Sequence, residues 1–325
     1  MSSAIPAPTP QLDDTGANPM PRPSPARTVR RLTLTAAAGA ALLAALPAHA
    51  IQAYGLTTTN AVFTFDTMDP LNGSMPMAIT GLAAGERIVS IDIRPTTQML
   101  YGVGDAGGVY RIDAMGMATM VGMLDAAPGS AALGIDFNPA ADLSGGASLR
   151  VITGTGQNYA FNVNNGTNAS GEGAIPGGHP SVAYANNDTD PATGTALYYI
   201  DVQNDLLKVA TGNFNNTMAA PITITTVGAL GVDANGISGF DITVGNMAYA
   251  SFTDADTGKS MLYGINLATG AATAMGSFGF MGNTIVTPPI AGLAISPVPE
   301  PETYALMLAG LAAVGAAAKR RRVKG

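Results

Sequence analysis

The sequence predicts an all-β protein, a β-propeller of five four-stranded blades. Three observations predict it: turn-forming residues throughout, one short strand that recurs at wide intervals, and complementary partial units at the two ends. There are 40 glycines and 22 prolines among 325 residues, with hydrophobic residues at 47% and charged ones at 11%. Glycine and proline at that density interrupt helices and mark turns between short strands.

The recurring strand reads Val89-Ser90-Ile91-Asp92-Ile93-Arg94-Pro95, then Leu133-Gly134-Ile135-Asp136-Phe137-Asn138-Pro139, then Ile237-Ser238-Gly239-Phe240-Asp241-Ile242. Weaker copies are Ser181 to Tyr184 and Ile290 to Pro297. Aligned on Asp92, Asp136, Ala183, Asp241 and Ala294, the steps are 44, 47, 58 and 53 residues. Periods of this size belong to propeller blades or other stacked units. After Asp92 come three more strand-like runs, at Met99 to Val103, Gly108 to Asp113 and Ala118 to Gly122; the same succession follows Asp241. One four-stranded sheet cannot bury both its faces, whereas sheets packed around an axis can.

The ends complete the pattern. Tyr54-Gly55-Leu56 and Val62 to Asp66 match the second and third strands of a unit and lack a first, while the unpaired first-type strand is Ile290 to Ile295. Joining them makes a fifth blade from both ends and removes an exposed sheet edge. Six blades is the alternative if the long step after Ala183 hides another.

Outside the propeller-like region, 51–297, the chain reads as targeting sequence. Residues 1–50 carry a basic stretch, an apolar run from Leu32 to Leu46 and a small-x-small site at Ala48-His49-Ala50, the plan of a signal peptide cut after Ala50. Met20 is an alternative start. Arg30-Arg31 matches the twin-arginine motif poorly, which favours general secretion. Residues 298–325 combine Pro299-Glu300-Pro301, an apolar segment from Tyr304 to Ala318, and the basic cluster Lys319, Arg320, Arg321 and Arg322. At ~1.5 Å per residue that segment spans roughly 22 Å as a helix, short of a ~30 Å hydrocarbon core, so it reads as a transient anchor with its basic end cytoplasmic. Cleavable hydrophobic helices are thus expected at both ends.

This tail resembles the PEP-CTERM sorting signal of Gram-negative bacteria that make extracellular polysaccharide. The resemblance implies removal of the anchor by an exosortase, after passage through the secretion machinery and signal peptidase, and delivery to the cell surface or extracellular matrix. The body of the chain resembles the family called domain of unknown function 4394. The residues that carry this are Tyr54-Gly55-Leu56, Ile79 to Glu86, Gly134 to Pro139, Gly156-Gln157-Asn158, and Leu230 to Asp233 leading to Gly239-Phe240-Asp241. The chain departs from the family at Tyr159-Ala160, where an apolar and then a basic residue are usual. The resemblance supports the boundaries of the domain and leaves its activity open.

Residue usage excludes several functions. Without cysteine there is no thiolate metal site and no cysteine nucleophile. Between Ile51 and Val298 there are six basic residues against 18 acidic ones, a net charge of −12, which repels nucleic acid. His179, in the turn-like run Pro176 to Pro180, is the only histidine left once the leader is removed, which excludes histidine-rich metal sites. No catalytic residue is assigned. Calcium is the candidate cofactor: Asp254 and Asp256 alternate before Gly258, and Asp188 and Asp190 alternate after Asn186, spacings that let oxygens converge on one ion. Both segments also read as ordinary hairpin turns. The repeated Asp92, Asp136 and Asp241 are candidates for the central channel, where an acidic ring can hold a cation. The function expected is a non-catalytic binding or scaffolding protein linked to exopolysaccharide and biofilm, with extracellular polysaccharide as candidate partner. The alternative is an enzyme acting on glycans or lactones through channel-facing aspartates, with or without calcium. Absence of tryptophan weakens the case for sugar-stacking platforms.

Overall fold

Short strands alternate with turns whose residues take positive φ, and this folds each repeat into an antiparallel meander. Asn60, Gly107, Asp205 and Asn246 are four such turn residues, with φ of 61°, 97°, 54° and 57°. Asparagine, aspartate and glycine tolerate that conformation, and it matches the twist of the strands it joins.

The computed structural model describes residues 51–296, apart from 129–132, 170–174, 176–180, 189, 191, 212–222, 235–237, 255 and 282–287, together with residue 310. All of these fall in one unit, His49–Gly325. Ala48 and Ala50, Pro299, Glu300 and Pro301, Lys319, Arg320, Arg321 and Arg322, and also His179, lie outside the described residues. No helix among the described residues is long and apolar enough to cross a membrane.

Among the described residues twenty strands form five four-stranded sheets. Blade 1 contains β1 (Gln52–Thr57), β2 (Ala61–Asp66) and β3 (Met77–Ala78). Blade 2 is β4 (Ile88–Ile93), β5 (Leu100–Gly104), β6 (Gly108–Ile112) and β7 (Ala118–Met123). Blade 3 is β8 (Leu133–Phe137), β9 (Leu149–Thr153), β10 (Asn158–Asn162) and β11 (Thr167–Asn168). Blade 4 is β12 (Ser181–Tyr184), β13 (Leu197–Asp201), β14 (Leu206–Thr211) and β15 (Thr223–Ala229). Blade 5 is β16 (Ser238–Ile242), β17 (Ala248–Thr253), β18 (Ser260–Ile265) and β19 (Ala272–Ser277). The last strand, β20 (Ile290–Ile295), pairs antiparallel with β1 and becomes the innermost strand of blade 1. The molecule is therefore a five-bladed β-propeller closed by strands from opposite ends of the domain, as the sequence predicts. Among the described residues the long step after Ala183 holds β13, β14 and β15 and no sixth blade.

Because successive side chains on a strand face opposite sides, each blade buries one face against each neighbour. On β13, Leu197 and Tyr199 pack toward blade 3 with Ile152 and Val182, while Ile200 packs toward blade 5 with Phe240 and Phe252. Among the described residues the buried apolar side chains form five clusters, one between each pair of adjoining blades. Between blades 5 and 1 the cluster is aromatic, with Phe63 edge-on to Phe278 and Phe280 at centroid distances of 6.0 and 5.1 Å.

One helix was not expected. In the loop after β8, α1 (Pro139–Leu143) is a single turn in which Asn138 caps the Ala141 amide at 3.1 Å and Pro139 takes the first position. Asparagine followed by proline is a helix-start signal, but five residues are too few to show helical periodicity.

Candidate functional site

The innermost strands β4, β8, β12, β16 and β20 contact one another in sequence around the axis. Each pairs with its own blade along one edge and leaves the other edge open, so its free amides need acceptors. Asp92, Asp136 and Asp241 supply them. These residues stand at the same place in their strands, opposite Tyr101, Arg150 and Tyr249 on the second strand. In the other two blades the place is taken by Ala183, opposite Tyr198, and Ala294, opposite Tyr54.

Each aspartate reaches forward by one blade. Asp92 Oδ2 accepts the Phe137 amide at 2.7 Å, Asp136 Oδ1 accepts the Tyr184 amide at 3.2 Å, and Asp241 Oδ2 accepts the Ile295 amide at 2.5 Å. Ala183 and Ala294 offer no carboxylate, so the equivalent amides of blades 5 and 2 are taken locally: Ile242 donates to Asp241 Oδ1 at 2.6 Å, and Ile93 donates to Asp92. Three carboxylates thus accept all five equivalent amides around the axis.

The three side chains converge, with one carboxylate oxygen from each lying within 4.8 Å of the others. They are 2%, 0% and 1% exposed. Burial is the first cause that raises their pKa values. The charge of Asp241 and then, more weakly, that of Asp142 add to it at Asp92, and the charges of Asp92 and Asp241 add to it at Asp136; both carboxyls are pushed well above the ordinary carboxylate value. At Asp241 the Ile295 and Ile242 amides oppose burial, and its carboxyl is raised to about 7.

Two residues back along the strands, the axis is nearly closed. A β-carbon on Gly239 would come within 2.4 Å of the Leu293 nitrogen, so only glycine allows blades 5 and 1 to approach this closely. What remains is a cavity of about 10 Å³ lined in part by Ser90, Ser181 and Ser238, with Ser181 Oγ 2.6 Å from Ser238 Oγ. Pockets for organic ligands are typically 300–1,000 Å³. This cavity has room for roughly one water.

The other candidate carboxylates hold turns. Asp188 Oδ1 accepts the Asp190 amide at 2.8 Å, and Asp190 Oδ1 accepts the Ala192 amide at 2.9 Å. Asp254 Oδ1 accepts both the amide and the hydroxyl of Thr257 at 2.7 Å, and those bonds are the leading cause of its lowered pKa. Asp256 is exposed on the same turn.

Sequence reasoning missed a clamp beside the ring. Asp142, on α1, accepts Arg94 Nε at 2.6 Å, Thr96 Oγ1 at 2.6 Å and Ser148 Oγ at 3.1 Å, tying blade 2 to blade 3 through a buried ion pair. Its only signal was the Arg94-Pro95 and Asn138-Pro139 endings of two repeat copies, which place a cation and a capped helix at equivalent exits.

The model of a family described as domain of unknown function (DUF4394) matches residues 61–288. The chain belongs to this family. The five-bladed ring described above is therefore the fold of a DUF4394 chain. A PEP-CTERM protein-sorting motif matches residues 297–322, just beyond β20, and marks the protein as exported and exosortase-processed. Among curated proteins none matches the chain. Similar solved structures include a chain of the nidogen/laminin complex, 12% identical with a TM-score of 0.45, covering 76% of this chain and 98% of that one. Another is regucalcin, a calcium-binding protein from Agrobacterium tumefaciens, 10% identical with a TM-score of 0.37, covering 71% of this chain and 75% of that one. Neither likeness carries a functional argument.

Proposed function

We propose that this DUF4394 propeller is a non-catalytic binding or scaffolding protein of the cell surface or extracellular matrix, tied to exopolysaccharide and biofilm in a Gram-negative bacterium. In this reading residues 1–50 are a signal peptide cut after Ala50, residues 51–297 fold, and residues 298–325 are a sorting tail. The tail briefly anchors the chain in the inner membrane before exosortase removes it. The observation that carries the reading is the sorting motif at 297–322, which begins immediately beyond the ring-closing strand Ile290–Ile295. A cut there leaves the ring whole, so the tail serves as a removable handle on a finished fold.

The axis geometry supports a non-catalytic role for the ring centre. Asp92, Asp136 and Asp241 are buried and engaged with backbone amides, and the adjoining cavity of about 10 Å³ is far too small for a sugar ring or a lactone. The enzymatic alternative draws no support from that arrangement.

Two measurements test the proposal. Intact mass of the protein from the envelope of its native host should correspond to a first residue Ile51 and to loss of Lys319 through Gly325. Retention of that basic end on exported protein contradicts the processing. Strains with and without the gene should differ in attachment, floc formation and retained matrix; indistinguishable strains would remove the scaffolding role.

A further inference from the structure

One oxygen at the ring centre is left over after the amides are matched. Asp136 Oδ1 accepts the Tyr184 amide, but Asp136 Oδ2 is buried from solvent and has no hydrogen-bond partner. Buried polar atoms are nearly always satisfied, and a carboxylate oxygen is among the costliest to strand.

We propose that Asp92, Asp136 and Asp241 together bind one divalent cation of the calcium class on the propeller axis. The ligand oxygens lie within 4.8 Å of one another, close enough that a small inward movement of the side chains lets one ion reach all three at calcium–oxygen distances of ~2.3–2.6 Å. The donor set is all oxygen, which selects a hard cation over zinc or copper. Calcium accepts irregular coordination with six to eight oxygens; magnesium needs a tighter octahedron at 2.0–2.1 Å and sheds its water reluctantly. The neighbouring cavity, lined in part by Ser90, Ser181 and Ser238, has room for roughly one water. The five amides of Ile93, Phe137, Tyr184, Ile242 and Ile295 direct positive dipole ends at the same carboxylates and offset the charge that a divalent ion leaves. The blade positions filled by Ala183 and Ala294 hold the carboxylate number at three, enough for one divalent ion and too few for two.

Such an ion links blades 2, 3 and 5 at the centre, so its binding must stabilise the native ring. The test uses the full-length chain at neutral pH, melted in 1 mM calcium chloride, in 1 mM magnesium chloride and in EDTA, with metal content measured after dialysis against micromolar calcium. Calcium should raise the melting temperature by roughly 5–10 °C over EDTA, and about one equivalent should stay bound. Asp136→Asn keeps an acceptor for the Tyr184 amide and should lose both the rise and the bound ion. A combined Asp188→Asn, Asp190→Asn, Asp254→Asn and Asp256→Asn variant should keep both. No rise and no bound calcium in the unmodified chain overturns the proposal, as does calcium lost in the loop variant or fully retained in Asp136→Asn. An equal rise with magnesium overturns the choice of calcium. If Asp136→Asn fails to fold, the unmodified chain and the loop variant decide between axis and loops.

Discussion

Asp241 illustrates how much one side chain does at the ring centre. Its two oxygens accept the amides of Ile242 and Ile295, and Ile295 ends the strand that closes the ring. Asp241→Ala strands two buried amides, so urea unfolding should show a loss of about 2–6 kcal/mol at ~1–3 kcal/mol for each unsatisfied group. Asp241→Asn, which keeps one acceptor, should lose less. Asp201 gives a pH signature away from the axis. Its Oδ2 lies 2.6 Å from Lys208 Nζ, and it accepts hydrogen bonds from Asn204 Nδ2 and the Gln203 amide at 2.9 and 3.1 Å. Burial alone would raise this carboxyl, but the bonds and the lysine charge outweigh it and hold the pKa below its ordinary value. A depressed carboxyl stabilises the fold above its unfolded pKa of about 3.9, and that contribution is lost as pH falls through the folded value. Asp201→Asn should therefore cost about 1 kcal/mol at pH 7, and the difference from the unmodified chain should shrink in unfolding curves as pH falls below about 3.9.

Between elements, the outer strands are locked by close backbone approach. In blades 2, 4 and 5 the register of the last strand pair slips by one residue, at Val109/Tyr110, Leu207/Lys208 and Leu262/Tyr263. The bulge in blade 4 presents Gly228 to the β18–β19 turn of blade 5, where an added β-carbon would meet the Thr269 carbonyl oxygen at 2.0 Å. Gly228→Ala forces the two blades apart and should lower stability by about 1–3 kcal/mol in urea unfolding. Breaking the inter-blade clamp at Asp142 should cost more. Asp142→Ala leaves Arg94 charged and buried, a loss of about 3–5 kcal/mol by the same measurement. The strands themselves were legible in the sequence because each carries a β-rich run bounded by turn residues, and β4, β8 and β16 share one recognisable phrase around an aspartate. The bulges and α1 were not, since a one-residue slip and a single helical turn leave no periodicity to read. The clamp was hidden for another reason: Arg94 and Asp142 are 48 residues apart and meet only when blades 2 and 3 pack.

For the whole molecule, the closing strand was the most informative sequence feature, because a unit lacking its first strand and a first strand lacking its unit can complete each other only in a ring. Truncation before Ile290 should leave the open edge of β1 unpaired and expose the aromatic cluster around Phe63. Size-exclusion chromatography should then show aggregated or unfolded chain in place of a monomer-sized species. Alignment of the repeats also placed Asp92, Asp136 and Asp241 together at the axis. It did not reveal that they are buried and bonded to the next blade, since that depends on how closely five strands converge. The central claim is that these three carboxylates hold the innermost strands to one another. Residue-resolved hydrogen exchange tests it most directly. The amides of Phe137, Tyr184 and Ile295 should exchange only through global unfolding, as slowly as core amides of β5 and β9. Exchange of those three at the rates of the outer strands β7 and β15 would contradict it.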